Sequence, residues 1–423
     1  MRHSHFQPGH KPPIHPDFHL KESHVTGPVS FLNPTSAHYE PTQYRAAHEP
    51  NGEPRGQIPA TPQINRLWRS RDNRKGRHAL RVDPAVSPRE TGVTAPPLTR
   101  SGPAVAKGIL RMFSYAPYWD VSYLVATTFT LGSAIWIINA FFVWLPLASP
   151  KTEFHGESPI GGGVTAFVGA TIFEIGSVFL FLEAVNANQT GCFGWALETV
   201  LSKAEDEGWR QDAKKELRPS MSKCEHHHAN REHLLRGRLS HVTDGAEHPG
   251  HETGGYITSS PDGRSFRWVP SWSELRTHYL RELGFLASFI QLLSATVFWI
   301  AGLTGLPGIF DHMSHGLVDG VYWAPQIVGG TGFMLSGLLF TLETQTKWYI
   351  PSWHVLGWHV GAWNFIGGIG FTLCGALGPA SAHSGVEYQA TLATFWGSWA
   401  FMIGSTIQWY ESLQKHPVEK KCY

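Results

Sequence analysis

Six stretches of the chain, 121–146, 163–186, 283–305, 324–346, 356–378 and 390–411, contain no lysine, arginine or aspartate and only four glutamates, Glu174, Glu183, Glu343 and Glu411. A bilayer core of about 30 Å needs about 20 mainly apolar residues per helix, and each stretch meets that length. Trp and Tyr crowd their ends, as at Tyr118, Trp119, Trp272, Trp348, Tyr349, Trp353, Trp409 and Tyr410. Amphipathic rings prefer the membrane–water interface. The pattern predicts an all-α, polytopic membrane protein of six transmembrane helices. It argues against a soluble enzyme with buried core helices. The near-zero mean hydropathy of the whole chain averages two populations, these spans and the polar segments 1–116 and 188–281.

The basic residues predict which way the chain sits. The loops 147–162, 306–323 and 379–389 hold Lys151 alone, so the other 33 of 34 lysines and arginines fall on the opposite side. Those nearest the spans, Lys107, Arg111, Arg276, Arg281, Lys347 and Lys415, agree with the positive-inside rule. Both termini and the loop 187–282 are therefore expected in the cytosol. The sequon at Asn188 is expected to stay unmodified there. The net charge of +1 excludes a nucleic-acid binder driven by bulk charge. Four cysteines exclude a disulfide scaffold. Residues 1–116 are rich in Pro, His, Arg and Gly, and the composition predicts a disordered cytosolic tail. Within it, Arg66, Arg69, Arg71, Arg74, Lys75, Arg77 and Arg81 face only Asp72. Two readings of residues 66–81 stay open: a solvated tail, or contact with anionic lipid. In the loop, a surface helix is expected near Trp195–Leu217 and a hairpin around Pro261–Gly263. The chain ends Lys420-Lys421-Cys422-Tyr423. These lysines resemble a receptor-read retrieval signal, which favours the endoplasmic reticulum, with the plasma membrane as alternative.

The most specific signal is internal. The spacing G-x3-F-x2-[GS]-[GS]-x5-E occurs in the second, fourth and sixth stretches without a gap. It places Gly169, Phe173, Gly176, Ser177 and Glu183 beside Gly329, Phe333, Ser336, Gly337 and Glu343, and beside Gly397, Phe401, Gly404, Ser405 and Glu411. A Pro-x-Trp string precedes each odd stretch, at Pro117–Trp119, Pro270–Trp272 and Pro351–Trp353. The chain thus reads as three tandem two-helix repeats, with hairpins at 117–186, 270–346 and 347–411, a cytosolic loop at 187–269 and a tail at 412–423. Small residues such as Gly169, Gly176, Gly329, Gly337, Gly397 and Gly404 let membrane helices approach closely. Each terminal glutamate ends a helix, where the macrodipole disfavours an anion, so its recurrence needs a reason. One reason is an ion pair to the start of an odd helix, where Arg276, His278 and His354 lie. The other is an acidic ring at a vestibule.

Glu174 breaks the repeat, since Met334 and Met402 hold the equivalent places. A charge mid-membrane costs at least ~2.5–3.5 kcal/mol on insertion scales. It is a candidate intramembrane site for protons or cations, or a neutral carboxyl bonded to Asn139, Gln291 or Asn364. Cys224, His226, His227, His228 and His233 lack the paired spacing of a zinc site. The acids near His155, His312, His315 and His383 fit ordinary polar loops. No metal and no cofactor are therefore expected. No G-x-S-x-G, H-E-x-x-H, G-x-G-x-x-G or Walker A string occurs, which leaves no catalytic residue to name and makes an enzyme the third reading.

The segment RWVPSWSELRTHYLRELGFLASFIQLLSATVFWIAGLTGLPGI, followed by the LETQ at the end of the fourth stretch, resembles uncharacterised six-span integral membrane proteins of filamentous fungi. The likeness covers roughly 110–415. It implies a membrane architecture and transfers no site residues. The leading reading is a structural or scaffold protein of an internal membrane. A transporter or channel using Glu174 is the alternative, favoured by a continuous polar path beside that residue. Oligomeric state and substrate have no signal.

Overall fold

A computed structural model describes residues 18–41, 65–82, 98–187, 189–194, 196–197 and 266–420. The expected loop helix beyond Leu197, the Pro261–Gly263 hairpin, the Cys224–His233 tract, Asn188 and Lys421 lie outside the described residues. Six long helices dominate: α3 (Val121–Ala148), α4 (Gly163–Val185), α5 (Leu283–Thr304), α6 (Ala324–Glu343), α7 (Leu356–Leu377) and α8 (Ser384–Ser412). Two shorter helices precede them, α1 (Ser70–Arg74) and α2 (Gly102–Ser114). Five of the six long helices, α3 to α7, have the length and hydropathy to cross a membrane. Apolar side chains such as Leu131, Ile175, Leu293, Val328 and Leu373 point out from these helices. That outer surface suits hydrocarbon, and the chain is a membrane-embedded helical protein. Helix α8 is longer but more polar, carrying Glu387, Gln389, Gln408 and Glu411.

Each long helix packs on the next in sequence, and α8 closes back on α3, giving a ring of six. The centre is solid. One large aromatic side chain from each helix, Trp136, Phe173, Phe298, Phe333, Phe371 and Phe401, fills it. The rings form two triangles. Phe173, Phe333 and Phe401, the phenylalanines of the recurring motif, meet at centroid distances of 5.5–6.3 Å. Trp136, Phe298 and Phe371 from the odd helices meet at 4.9–5.7 Å. Five of these six contacts are edge-to-face and the sixth is tilted, arrangements that aromatic quadrupoles favour. The small residues of the motif set the helix spacing. Gly169 lies against Trp136, Gly176 against Phe129, Gly329 against Phe298, Gly337 against the backbone of Phe365, Gly397 against Gly367, and Gly404 against Asn364.

The fold also contains a sheet, so an all-α class is incomplete. Five strands, β1 (Phe18–Leu20), β2 (Ser36–Pro41), β3 (Asn65–Arg69), β4 (Ala79–Val82) and β5 (Val418–Lys420), lie in sequence order. The first four pair antiparallel, and β5 joins β4 in parallel with Val82 opposite Lys420. Val25, Ala37 and Tyr39, with Leu20 and Trp68, form its small apolar core. The expectation of a disordered tail therefore fails for the described parts of 1–116. Composition argued that this region buries too little apolar area to fold alone. The structure supplies the missing stabilisation from outside it, through β5 and the ends of the helices.

Candidate functional site: an ionic lock at one mouth of the helix ring

Strand β3 leads directly into α1, and the turn after α1 leads into β4. This β3–α1–β4 unit presses its basic side chains into the end of the ring where the even helices stop and the odd helices start. There Glu183, Glu343 and Glu411 converge, all 0–3% exposed. Arg71 bonds Glu411 through both Nε (3.2 Å) and Nη2 (2.6 Å). Arg77 Nη1 donates to Glu411 (2.9 Å) and to Asp72 (2.6 Å). Arg74 bridges two helices, with Nη1 on Glu183 (2.6 Å) and Nη2 on Glu343 (2.8 Å). Lys75 Nζ reaches the other Glu183 oxygen at 3.3 Å. The Ser70 hydroxyl donates to Glu343 at 2.5 Å. Four cations thus meet four carboxylates, and each repeat acid has at least two donors.

The recurring acids therefore pair with the β3–α1–β4 unit, and not with Arg276, His278 or His354 at the odd helices as expected. His278 instead faces Glu282 at 3.3 Å. Nor are residues 66–81 a lipid-contact surface as a whole. Arg71, Arg74, Lys75 and Arg77 are all less than 10% exposed. Arg69 makes a bidentate pair with Glu419 of β5, at 2.8 and 2.9 Å, tying the two ends of the chain together. Burial would raise the Glu419 carboxyl, but Arg69 holds it below its ordinary value. Lys75 is fully buried, and that burial, opposed by Glu183, pulls its ammonium from 10.5 down to about 8.

Two residues that make the lock possible carried no signal in the motif. A Cβ on Gly284 would sit 2.4 Å from a Glu343 oxygen and 2.8 Å from Arg74 Nε. A Cβ on Gly357 would sit 2.3 Å from Arg71 Nε. Each is the second residue of its odd helix, in Leu283-Gly284-Phe285 and Leu356-Gly357-Trp358. The corresponding place in α3 is Ser122, a small and fully buried residue. The pattern "Leu-Gly-aromatic" at a helix start could have been read as a gap left for an incoming side chain.

Below the lock, Arg71, Arg74 and Lys75 roof a space of about 20 Å³ lined by Gln291, Ser336, Asn364 and Gln408 and by Phe129 and Phe340. That is room for about one water molecule. Glu174 lies elsewhere. It is half-buried on the outer seam between α4 and α5, where its Oε1 accepts from the exposed Thr296 hydroxyl at 3.0 Å and its Oε2 has no partner. Trp299 Nε1 donates to Thr171 beside it, at 3.0 Å. Asn139, named as a neighbour of Glu174, bonds Gly162 and Thr165 instead. Gln291 and Asn364 line the inner space. Among the described residues, no three His, Cys, Asp or Glu side chains gather to hold a metal ion. Searches with protein-family models, curated proteins and solved structures give no match to this chain.

Proposed function

We propose that the chain is an integral membrane scaffold: six spans built as three tandem hairpins, holding a cytosolic sheet unit rigidly against one face of the bilayer. The observation that carries the reading is the filled axis. Six aromatic side chains occupy the centre of the ring, and the acidic mouth is occupied by the chain's own arginines and lysine. A conducting path beside Glu174 would need polar groups continuing through the membrane, whereas its neighbours run along an outer seam of Thr171, Thr296 and Trp299. The threefold meeting of the motif's phenylalanines and glutamates supports the tandem-repeat reading. Helix α8 supports a sixth span by its 29-residue length and its place closing the ring between α7 and α3. The sheet unit joins both chain ends, so a cytosolic placement of one end carries the other with it. That agrees with the excess of basic residues on this side. The likeness to six-span fungal membrane proteins fits the same architecture.

For the compartment, the reading is an internal membrane, the endoplasmic reticulum, addressed through Lys420 and Lys421. Lys420 pairs with Val82 at the end of β5. The scaffold reading is tested by flux. Purified protein in liposomes should leave proton and cation gradients intact, and Glu174→Gln should change nothing. A leak that depends on the protein and that Glu174→Gln abolishes would replace the scaffold with a transporter.

A further inference from the structure

Helix α2 has three faces, and only one is covered by protein. Ala104, Gly108 and Met112, at i, i+4 and i+8, form the strip that packs. Gly108 lies under the Tyr410 ring of α8, and Arg111 Nη1 donates to the Leu413 carbonyl at 3.3 Å. On the adjoining side, Val105, Ile109 and Phe113 repeat the same spacing, with Leu110 beyond them and only the edge of the Phe113 ring meeting α8, at Trp409, 6.2 Å between centroids. All four are exposed, Leu110 at 69% and Phe113 at 80%. Lys107 and Arg111 occupy the remaining edge. A helix in water does not gain by presenting four large apolar side chains in one row. A wide apolar face bordered by basic groups is the pattern of a helix lying in the plane of a membrane interface.

We propose that α2 is an interfacial helix: its Val105–Ile109–Leu110–Phe113 face lies among the headgroups and upper acyl chains of the bilayer on the sheet side of the bundle. Three observations select lipid as the occupant. Only six residues separate the end of α2 from Val121, the first residue of a membrane-crossing helix, so α2 is held at the level where that helix leaves the bilayer. Tyr118 and Trp353, each three residues before an odd helix, are more than 70% exposed at the same end of the ring. Such exposed aromatic rings are a mark of the interface. The flanking Lys107 and Arg111 suit an anionic leaflet, each basic group near it contributing about 1 kcal/mol. The lipid contact thus falls to 102–114, whose basic residues are not used by the lock.

The placement also gives α2 a mechanical task. Thr99, just before it, bonds Val418 of β5 in both directions at 3.2 Å, and Arg100 Nη2 donates to the His354 carbonyl at 2.7 Å. A helix embedded in the interface here would fix the tilt of the sheet unit against the bilayer surface. The experiment uses the full chain in lipid nanodiscs, with its four cysteines replaced and single cysteines introduced as Leu110→Cys, Phe113→Cys and Lys107→Cys. Each carries an environment-sensitive fluorophore. Labels at 110 and 113 should emit to the blue of the label at 107, resist aqueous iodide and be quenched by lipids spin-labelled near the headgroup. The proposal is overturned if 110 and 113 are as open to iodide as 107. It is equally overturned if they are shielded from both iodide and spin-labelled lipid, since protein would then cover the face. Circular dichroism of each variant checks that the fold is kept.

Discussion

Removing one cation from the lock should release the sheet unit far more readily than removing an equal charge at its rim. Arg74 joins Glu183 to Glu343 and is about 5% exposed at its side chain. In Arg74→Met, Glu183 keeps Lys75, but Glu343 keeps only the Ser70 hydroxyl. Leaving a buried charge without its partner costs about 3–5 kcal/mol. At roughly 1.4 kcal/mol per power of ten, the docked-to-undocked ratio should fall by about two to three and a half powers of ten. Arg69 offers the comparison. Its pair with Glu419 is 16–21% exposed, and a more solvated pair contributes about 1 kcal/mol or less. Hydrogen exchange followed by mass spectrometry on the reconstituted protein reads both. Amides of 65–82 report opening of the sheet unit, and amides of α6 report the bundle. In Arg74→Met the first set should exchange much faster and the second should hold, and Arg69→Met should change little. Adding Glu343→Gln to Arg74→Met should recover part of the loss, since it removes the orphaned charge. Equal exchange in the two single variants, or no recovery in the double variant, would refute the lock as the source of docking.

The same site has a pH dependence. Burial pulls Lys75 from 10.5 to about 8, so the undocked chain binds more protons than the docked chain between those values. Docking should therefore strengthen as pH rises from 8 towards 10.5, and Lys75→Met should flatten that slope in the same exchange experiment. Gly357→Ala should weaken docking by about 1–3 kcal/mol, an overpacking cost, because its Cβ would meet Arg71; the equivalent change at Gly102, which faces open space, should be neutral. At Glu174, replacement by Gln should leave thermal stability in nanodiscs unchanged, and Leu should keep or raise it by removing a carboxyl oxygen without a partner.

The helices were legible because apolar runs of membrane length have few alternative uses. All six expected stretches are helices in the structure, and their ends agree to within a few residues, except where α8 starts at Ser384. The motif residues were legible as a set, since one spacing recurs three times. Their common fate was not. Arg276, His278 and His354 are the basic groups that sequence places near the helix starts, and they are not the partners. The true partners lie 108 residues from Glu183 and 340 from Glu411, on a segment whose composition spoke only for itself. A chain that folds by borrowing a fifth strand from its other end cannot be recognised from local composition. The neighbours of Glu174 were hidden for a related reason. Periodicity says which helix a residue occupies, but the inner space holds Gln291 and Asn364 while Glu174 looks outward. The aromatic triangle of Trp136, Phe298 and Phe371 was within reach: each lies fifteen residues after the first residue of its odd helix.

A buried ionic cluster is weak evidence for stability, because apolar replacements of similar volume are often neutral or stabilising by 1–4 kcal/mol. What the charges supply here is orientation. Three similar acids around one mouth offer a docking unit three rotations, and an apolar plug would fit each about as well. The unequal donor sets remove that ambiguity: Glu411 takes Arg71 and Arg77, Glu183 takes Arg74 and Lys75, and Glu343 takes Arg74 and Ser70. Only one rotation also brings Arg69 onto Glu419 and β4 onto β5. The expectation is therefore a split between stability and register. Replacing Arg74 and Lys75 by Met together with Glu183 and Glu343 by Leu removes two charges of each sign and should leave the melting temperature equal or higher. It should also loosen the pairing of Leu80 with Val418. Cysteines placed at those two positions should crosslink efficiently in the otherwise native chain and less so in the fourfold variant. Efficient crosslinking in both would mean that β5 alone sets the register and that the acids serve only to hold the unit down.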